Sequence, residues 1–342
     1  MKKNHLHLII GLVIIVLSLY FAFRGVKLSE IVEALLAVNY LYLFPAIILV
    51  LSSYLFRAIR WRFLIRSVTD ISTKDIIPPM MIGFMGNMLP ARAGEFIRAY
   101  MLSKKANISF SSSFASIFIE RLFDLIIVLL LLCWVLIFIP DAFVAGDTNG
   151  AYEIVNKVKY FGILSFSLCV FIFLFSALLQ FKNELAMKIV NFFIRPLSAK
   201  WKEKITEMVH SFTTGLEIIR DKKGFLSTVF LSFLIWGNYL LTYYTLHLAF
   251  GIENDLPILS SLIIVCLTVS IFITVAPTPG FLGSFHLGCV AALNGIFGIP
   301  KAIALSYGII AWLLMMGATV TIGAFFAIKE NVSLGEFSEG KK

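Results

Sequence analysis

The sequence predicts an all-α integral membrane protein, a polytopic helical bundle of about seven to eight transmembrane helices with two Gly/Pro-interrupted re-entrant elements. Three observations carry that prediction. Of 342 residues, 59% are hydrophobic and only 14% charged, against roughly 25% charged in a soluble domain. Several apolar runs reach the ~18–20 residues that a bilayer-spanning helix needs. Two further apolar stretches are broken by repeated Pro and Gly. Together these exclude soluble globular, disordered, collagen-like and disulfide-scaffold classes. The formal charge of +9 does not make a nucleic-acid binder, because the basic residues fall between apolar runs. It fits cytoplasmic loops that set topology and attract anionic head groups.

The elements follow in order along one membrane domain, 1–342. Leu6 to Phe23 is apolar behind Lys2 and Lys3; no small-x-small cleavage pattern follows, so it reads as an uncleaved first span with a cytoplasmic N-terminus. A first half, 38–139, opens with the run Val38–Phe56, which ends in Arg57, Arg60, Trp61, Arg62 and Arg66. That basic stretch is expected on the cytoplasmic side, with Trp61 as an interfacial anchor. The broken element 76–102 comes next, then a run from Phe114 to Ile139. Tyr160–Phe181 is a further span. The segment 182–223 holds nine Lys/Arg against five Asp/Glu, which suits the cytoplasm. In it Trp201, Ile205, Met208, Phe212, Leu216 and Ile219 recur at helical spacing, giving an amphipathic helix that lies on the membrane or packs beneath the bundle. The second half, 225–328, contains runs 225–250, 258–276 and 302–328, with the broken element 277–298 between the last two. Acidic residues Asp141, Asp147, Glu153, Glu253 and Asp255 suit outside loops.

The two broken elements echo each other. Pro90 to Phe96 and Pro279 to Phe285 both fit P-x-x-x-G-[E/S]-F, with Gly94 and Gly283 at the glycine. Paired interrupted segments in two halves point to a transporter-like binding site and to an internal repeat, parallel or inverted. Backbone freed by Pro90, Pro277, Pro279, Gly280 and Gly283 cannot face lipid unpaired; it must be buried in protein or line a wet cavity.

Charge also falls where lipid should be. Arg92, Glu95 and Arg98 stand at i, i+3, i+6, so Glu95 can pair with either arginine on a shared helical face. Glu120, Arg121 and Asp124 interrupt the 114–139 run, with Asp124 about 15 Å below its start. Each unpaired charge at that depth costs about 2.5–3.5 kcal/mol. Three of them would cost about 8–10 kcal/mol, comparable with the stability of a domain. The three acids balance Arg92, Arg98 and Arg121 in sign, so the two groups are expected to meet in one buried, partly wet cluster; placement of Glu120 and Arg121 as interface anchors is the alternative. In the second broken element, Ser284 and His286 supply polar groups, His286 either as a protonation switch or as a hydrogen-bonded structural residue. Cys133, Cys169, Cys266 and Cys289 have no metal-ligand spacing. P-loop, H-E-x-x-H, C-x-x-C and G-x-S-x-G patterns are missing, so no cofactor, metal site or catalytic residue is assigned.

Taken together, Arg57-x-x-Arg60-Trp61-Arg62, Asn87-x-x-Pro90-x-Arg92-x-Gly94-Glu95-x-x-Arg98, Glu120-Arg121-x-x-Asp124 and Pro277-Thr-Pro279-Gly280-x-x-Gly283 resemble the lysylphosphatidylglycerol synthase transmembrane family, also called flippase-like. The resemblance spans about residues 6–328. It implies a bundle of about eight helices with re-entrant segments, associated with moving lipids or lipid-linked molecules between leaflets. The chain departs from the family in three ways. It stops soon after its last span, whereas two-part members add a soluble aminoacyl-transfer domain, so aminoacyl-lipid synthesis is not expected. Gly280-Phe281 replaces a common glycine pair, and His286 stands where a glutamate is frequent.

The leading expectation is therefore a multi-pass protein of the cell membrane that translocates an anionic phospholipid or polyprenyl-linked lipid through a polar intramembrane cavity. Arg92 and Arg98 would neutralise the lipid phosphate; Glu95, Glu120 and Asp124 would hold the arginines in the empty site; Arg121, Ser284 and His286 complete the predicted binding set. Two alternatives stand beside it. One is an intramembrane transferase on a polyprenyl or glycerolipid substrate, with Glu95, Asp124 or His286 as base. The other is a non-catalytic partner of a separate lipid-modifying enzyme. A homodimer is also open; a nucleic-acid partner is not expected.

Overall fold

The computed structural model describes residues 2–66, 68–89, 93–138, 182–196 and 221–332, and scattered positions elsewhere between 160 and 209. Pro90, Arg92, the acidic residues of 141–153, most of the predicted 160–181 span, and Met208, Phe212, Leu216 and Ile219 of the amphipathic stripe lie outside the described residues. All regular structure among the described residues is helical. Its order is α1 (Lys2–Phe23), α2 (Leu28–Leu36), α3 (Leu43–Ile65), α4 (Thr73–Gly86), α5 (Gly94–Ala106), α6 (Phe110–Phe138), α7 (Asn183–Ile194), α8 (Lys222–Phe250), α9 (Ile258–Val275), α10 (Ser284–Val290) and α11 (Lys301–Lys329).

Four described segments are long and apolar enough to cross a membrane: Tyr40–Ile65, Lys222–Phe250, Ile258–Val275 and Lys301–Lys329. They fall on four of the predicted apolar runs. Helix α6 has 29 residues, but Glu120, Arg121 and Asp124 set it apart. Large side chains such as Phe44, Leu51, Phe230, Phe325 and Ile328 stay exposed. In water that much apolar surface would be an association site; on these helices it is the face offered to acyl chains. The ends are cut by local chemistry. Ser72 accepts a hydrogen bond from the Asp75 amide at the start of α4, Asp221 accepts from Lys223 at the start of α8, and Gly251 ends α8 in the left-handed region.

Two close helical pairs lie within this bundle. Helices α4 and α5, of 14 and 13 residues, are each about 20 Å long, less than the ~30 Å of a hydrocarbon layer. They pack antiparallel through glycine. A Cβ on Gly83 would lie 2.6 Å from Arg98 Cβ and 2.8 Å from the Gly94 carbonyl oxygen, and one on Gly86 would lie 2.7 Å from Ile97 Cδ1. The second pair is α9 and α10, where a Cβ on Gly288 would meet the Val269 backbone at 2.6 Å. Between them Gly280 (φ 59°) and Gly283 (φ 86°) take the turn through backbone space that L side chains rarely adopt. The tips of the two pairs touch. The Gly280 amide donates to the Asn87 carbonyl at 2.9 Å, and Trp312 Nε1 of α11 donates to the Gly280 carbonyl at 2.8 Å.

The glycine contacts predict a contrast. Gly83→Ala should destabilise the protein by about 1–3 kcal/mol, because the added methyl has no space between α4 and α5. Gly237→Ala meets nothing within 4 Å and should stabilise α8 by about 0.5–1 kcal/mol. Thermal unfolding of the purified protein in detergent separates the two; equal melting temperatures would contradict the close α4–α5 packing.

Candidate functional site

The site is built from four helices, three bringing charge inward and the fourth uncharged hydrogen-bonding groups. Helix α3 supplies Arg57 and Arg60, α5 supplies Arg98, α6 supplies Glu120, Arg121 and Asp124, and α8 supplies Ser232, Trp236 and Tyr239. Arg57 and Arg60 sit three residues apart and therefore share a face of α3. Glu120 and Asp124, four apart, do the same on α6. Gly83 allows the backbone of α5 close enough to α4 for Arg98 to enter between them.

Glu120 is the hub. Its Oε2 accepts from Arg98 Nη2 at 2.5 Å, and its Oε1 accepts from Arg121 Nη2 at 2.5 Å. Oε1 also lies 3.2 Å from Arg60 Nη2 and 3.6 Å from Arg57 Nη1. Asp124 is the second hub. Its Oδ1 accepts from Arg60 Nη1 at 2.7 Å and from Trp236 Nε1 at 3.4 Å; its Oδ2 is 3.2 Å from Arg121 Nη2 and 3.9 Å from Arg57 Nη1. Arg60 Nη1 reaches Ser232 Oγ as well, at 2.9 Å. Glu120 and Arg60 are fully buried, with 0% exposure.

Four guanidinium groups thus meet two carboxylates in contact, a formal excess of two positive charges. Glu95, half-buried on α5, is felt by Arg121 through space, and one positive charge still stands in excess with it counted. Aromatic faces take up part of this. Arg98 Cζ lies 3.6 Å from the Trp61 ring centroid and 5.4 Å from Phe84, and Arg57 Cζ lies 5.4 Å from Tyr239 and 5.8 Å from Phe84. The negative ring face attracts a cation by about 0.5–2 kcal/mol per contact. More donors than acceptors remain over. Among the described residues, Arg60 Nε and Nη2, Arg98 Nε and Arg121 Nε are buried nitrogens without a hydrogen-bond partner, Arg60 Nη2 keeping only its 3.2 Å ion pair with Glu120; on the acceptor side Asp124 Oδ2 also lacks one. A surplus of positive charge with unmatched planar N–H groups is the chemistry of an anion site, since a guanidinium fork matches phosphate and carboxylate oxygens.

Of the residues singled out from the sequence, Arg98, Glu120, Arg121 and Asp124 meet in this cluster. Arg98 pairs with Glu120 across helices rather than with Glu95 along its own. Arg92 lies outside the described residues. Ser284 closes its own turn, sharing a hydrogen bond with Thr278 Oγ1 at 2.9 Å and donating to the Phe281 carbonyl at 3.2 Å. His286 is buried beside Trp312, ring centroids 5.9 Å apart. No hydrogen bond or ion pair among the described residues joins either to the cluster. Arg57, Arg60 and Trp61 are where the structure departs from the sequence expectation. They are buried in the last turns of α3 rather than exposed beyond the apolar run, and Trp61, expected as an interfacial anchor, is fully buried and donates to Ser116 Oγ at 2.9 Å. The signal that identifies them is the return to apolar residues, Phe63-Leu64-Ile65, after the arginines; a solvated loop has no reason to do that.

Fold and site together define a helical membrane protein with a positively charged, buried polar centre. The chain belongs to the family described as the lysylphosphatidylglycerol synthase TM region, whose model matches residues 8–323. It is 23% identical to a UPF0104 membrane protein, PH1989, of Pyrococcus horikoshii, over 96% of this chain and 97% of that protein. It is 25% identical to a UPF0104 membrane protein of Methanothermobacter thermautotrophicus, over 87% and 86%. It is also 23% identical to "Glycosyltransferase AglD" of Haloferax volcanii over 96% of this chain, but the chain spans only 55% of that protein's length. No solved structure matches the chain.

The charge surplus makes the cluster asymmetric towards substitution. Glu120→Gln should destabilise the protein by about 3–5 kcal/mol, because it leaves buried arginines uncompensated. Arg57→Gln removes part of the surplus and should cost at least ~1 kcal/mol less. Paired thermal unfolding curves at neutral pH measure both; the opposite order would overturn the charge count.

Proposed function

We propose that this chain is a flippase-like protein of the cell membrane that moves an anionic lipid or lipid-linked molecule between leaflets, with the arginine–carboxylate cluster as its head-group site. The observation that carries the reading is the buried positive surplus: four arginines on two carboxylates, with guanidinium N–H groups left over. A phosphate crossing bare hydrocarbon faces a large burial penalty, and a buried cluster of arginines would offset much of it. In the empty site Glu120 and Asp124 hold the arginines apart and in place; a lipid phosphate takes up the free N–H groups and the surplus charge. Seven to eight helices cross the membrane in this reading, with the N-terminus in the cytoplasm and 182–223 as the cytoplasmic amphipathic segment. The broken elements 76–102, carrying α4 and α5, and 277–298, carrying α10, act as re-entrant elements of the two halves. Their touching tips, held by the Gly280–Asn87 hydrogen bond, are the natural place for movement between them. Arg92, Glu95, Ser284 and His286 remain members of the binding set in this reading.

One relative is named a glycosyltransferase, which favours a second reading: an intramembrane transferase, or a membrane partner of a lipid-modifying enzyme. Incubation of the purified chain with phospholipids and polyprenyl phosphates, followed by mass spectrometry, separates the two, since a translocator leaves the lipid mass unchanged.

In proteoliposomes carrying fluorescent anionic phospholipid, the parent protein should exchange head groups between leaflets faster than empty liposomes do. Arg60→Gln, folded to the same melting temperature within a few degrees, should lower that rate about tenfold, the equivalent of one charge-assisted hydrogen bond of about 1.5 kcal/mol. Unchanged exchange in this variant would exclude the cluster as the head-group site.

A further inference from the structure

A groove of about 370 Å³ runs between α6, α8 and the segment carrying Leu174. Phe123, Leu130, Leu174, Val229 and Phe233 line it, and its walls are otherwise apolar except at one residue, Ser232. That hydroxyl accepts from Arg60 of the ionic cluster at 2.9 Å. Phe123, on the other wall, directly precedes Asp124 in the chain. The groove therefore starts where the charged centre ends.

Its dimensions select an occupant. The lining positions run from Phe123 to Leu130 on α6 and from Phe225 to Phe233 on α8, which is about 10–12 Å at 1.5 Å per residue. The volume is near the lower end of the ~300–1,000 Å³ found for ligand pockets, room for part of one hydrocarbon chain rather than two, and the apolar lining excludes a polar head group. Leu130 and Phe233 are exposed, so a chain can enter sideways from the membrane. Because lipid tails are as apolar as the groove, hydrophobicity gives no preference for this position over the bulk bilayer. What singles it out is its connection to an anion site at one end.

We propose that the groove holds one hydrocarbon chain of a phosphorylated lipid whose phosphate is bound by Arg60 and its neighbours, so that the protein recognises head and tail as a unit. This inference rests on the reading of the cluster as a phosphate site. The substrate class it names is a lipid phosphate or phosphodiester with at least one chain free to lie alone in the groove. The lipid then moves with its first chain segment shielded by α6 and α8 rather than with every tail left in the bilayer.

The test uses the full chain in phosphatidylcholine nanodiscs and a hexadecyl phosphate carrying a diazirine in mid-chain. Illumination should label peptides of α6 and α8 that line the groove. Unlabelled hexadecyl phosphate should compete, and hexadecanol should not. Val229→Trp, which fills the groove, should cut the labelling at least tenfold while butyl phosphate still raises the melting temperature; Leu130→Trp, at an exposed lining position, gives the same readout if Val229→Trp does not fold. Labelling that persists in both folded variants, or that hexadecanol displaces as well as the phosphate does, overturns the groove assignment even where butyl phosphate stabilises the protein. Absence of any butyl phosphate stabilisation in the parent instead overturns the head-group reading on which the inference stands.

Discussion

A single carboxylate organises this protein. Glu120 lies at 0% exposure in the middle of a 29-residue apolar helix, and a bare carboxylate there would be several kcal/mol out of balance. Nothing on α6 alone can satisfy it apart from Arg121. Its other contacts come from α3 and α5, so the three helices must arrive together before the charge is tolerable. The ion pairs need not add net stability over an apolar core of equal shape. Their effect is to forbid arrangements in which α3, α5 and α6 are out of register.

That demand explains the glycines. Arg98 reaches Glu120 only because α5 lies against α4 at glycine distance, with Gly83 facing the Arg98 backbone. The same helix α4 carries Met81 and Met85 against Gly323 of α11, and at its end the Asn87 carbonyl accepts a hydrogen bond from the Gly280 amide. One chain of close backbone contacts thus links the ionic centre to the tip of the second helical pair. The contacts that hold the tips and those that place Arg98 therefore belong to the same helix, α4.

How far this was legible in the sequence depended on whether a residue broke its local pattern. Glu120, Arg121 and Asp124 stand out because charge inside a long apolar run has no solvated explanation. Arg98 follows from the need to balance them. Arg57 and Arg60 obeyed a different rule, basic residues closing an apolar run, and so read as an exposed cytoplasmic-side stretch although the chain resumes Phe63-Leu64-Ile65 behind them. Gly83 and Gly86 were visible as breakers, but their partners across α5 were not, since contact between helices leaves no periodic trace. Ser284 was visible only as a polar group; its role in closing a turn with Thr278 needs the left-handed backbone at Gly280 and Gly283, which composition alone does not specify.

The identity of the cations bears on the function. Lysine could balance Glu120 and Asp124 by charge, but it is a flexible point charge that loses its proton readily on burial; arginine keeps its charge and presents five donors in a plane. With two carboxylates shared among four such planes, four guanidinium nitrogens lack a hydrogen-bond partner against one carboxylate oxygen, Asp124 Oδ2. In the proposed reading those N–H groups would be matched by a bound anion, and the gain would be largest for a compact, multiply charged oxygen anion such as phosphate. A carrier of the kind proposed must also release its cargo, and there the two carboxylates matter again. Because Glu120 and Asp124 already occupy part of each guanidinium, they compete with the bound anion for the same donors. The arginines can return to them as the anion leaves, which keeps the bound state from becoming a trap.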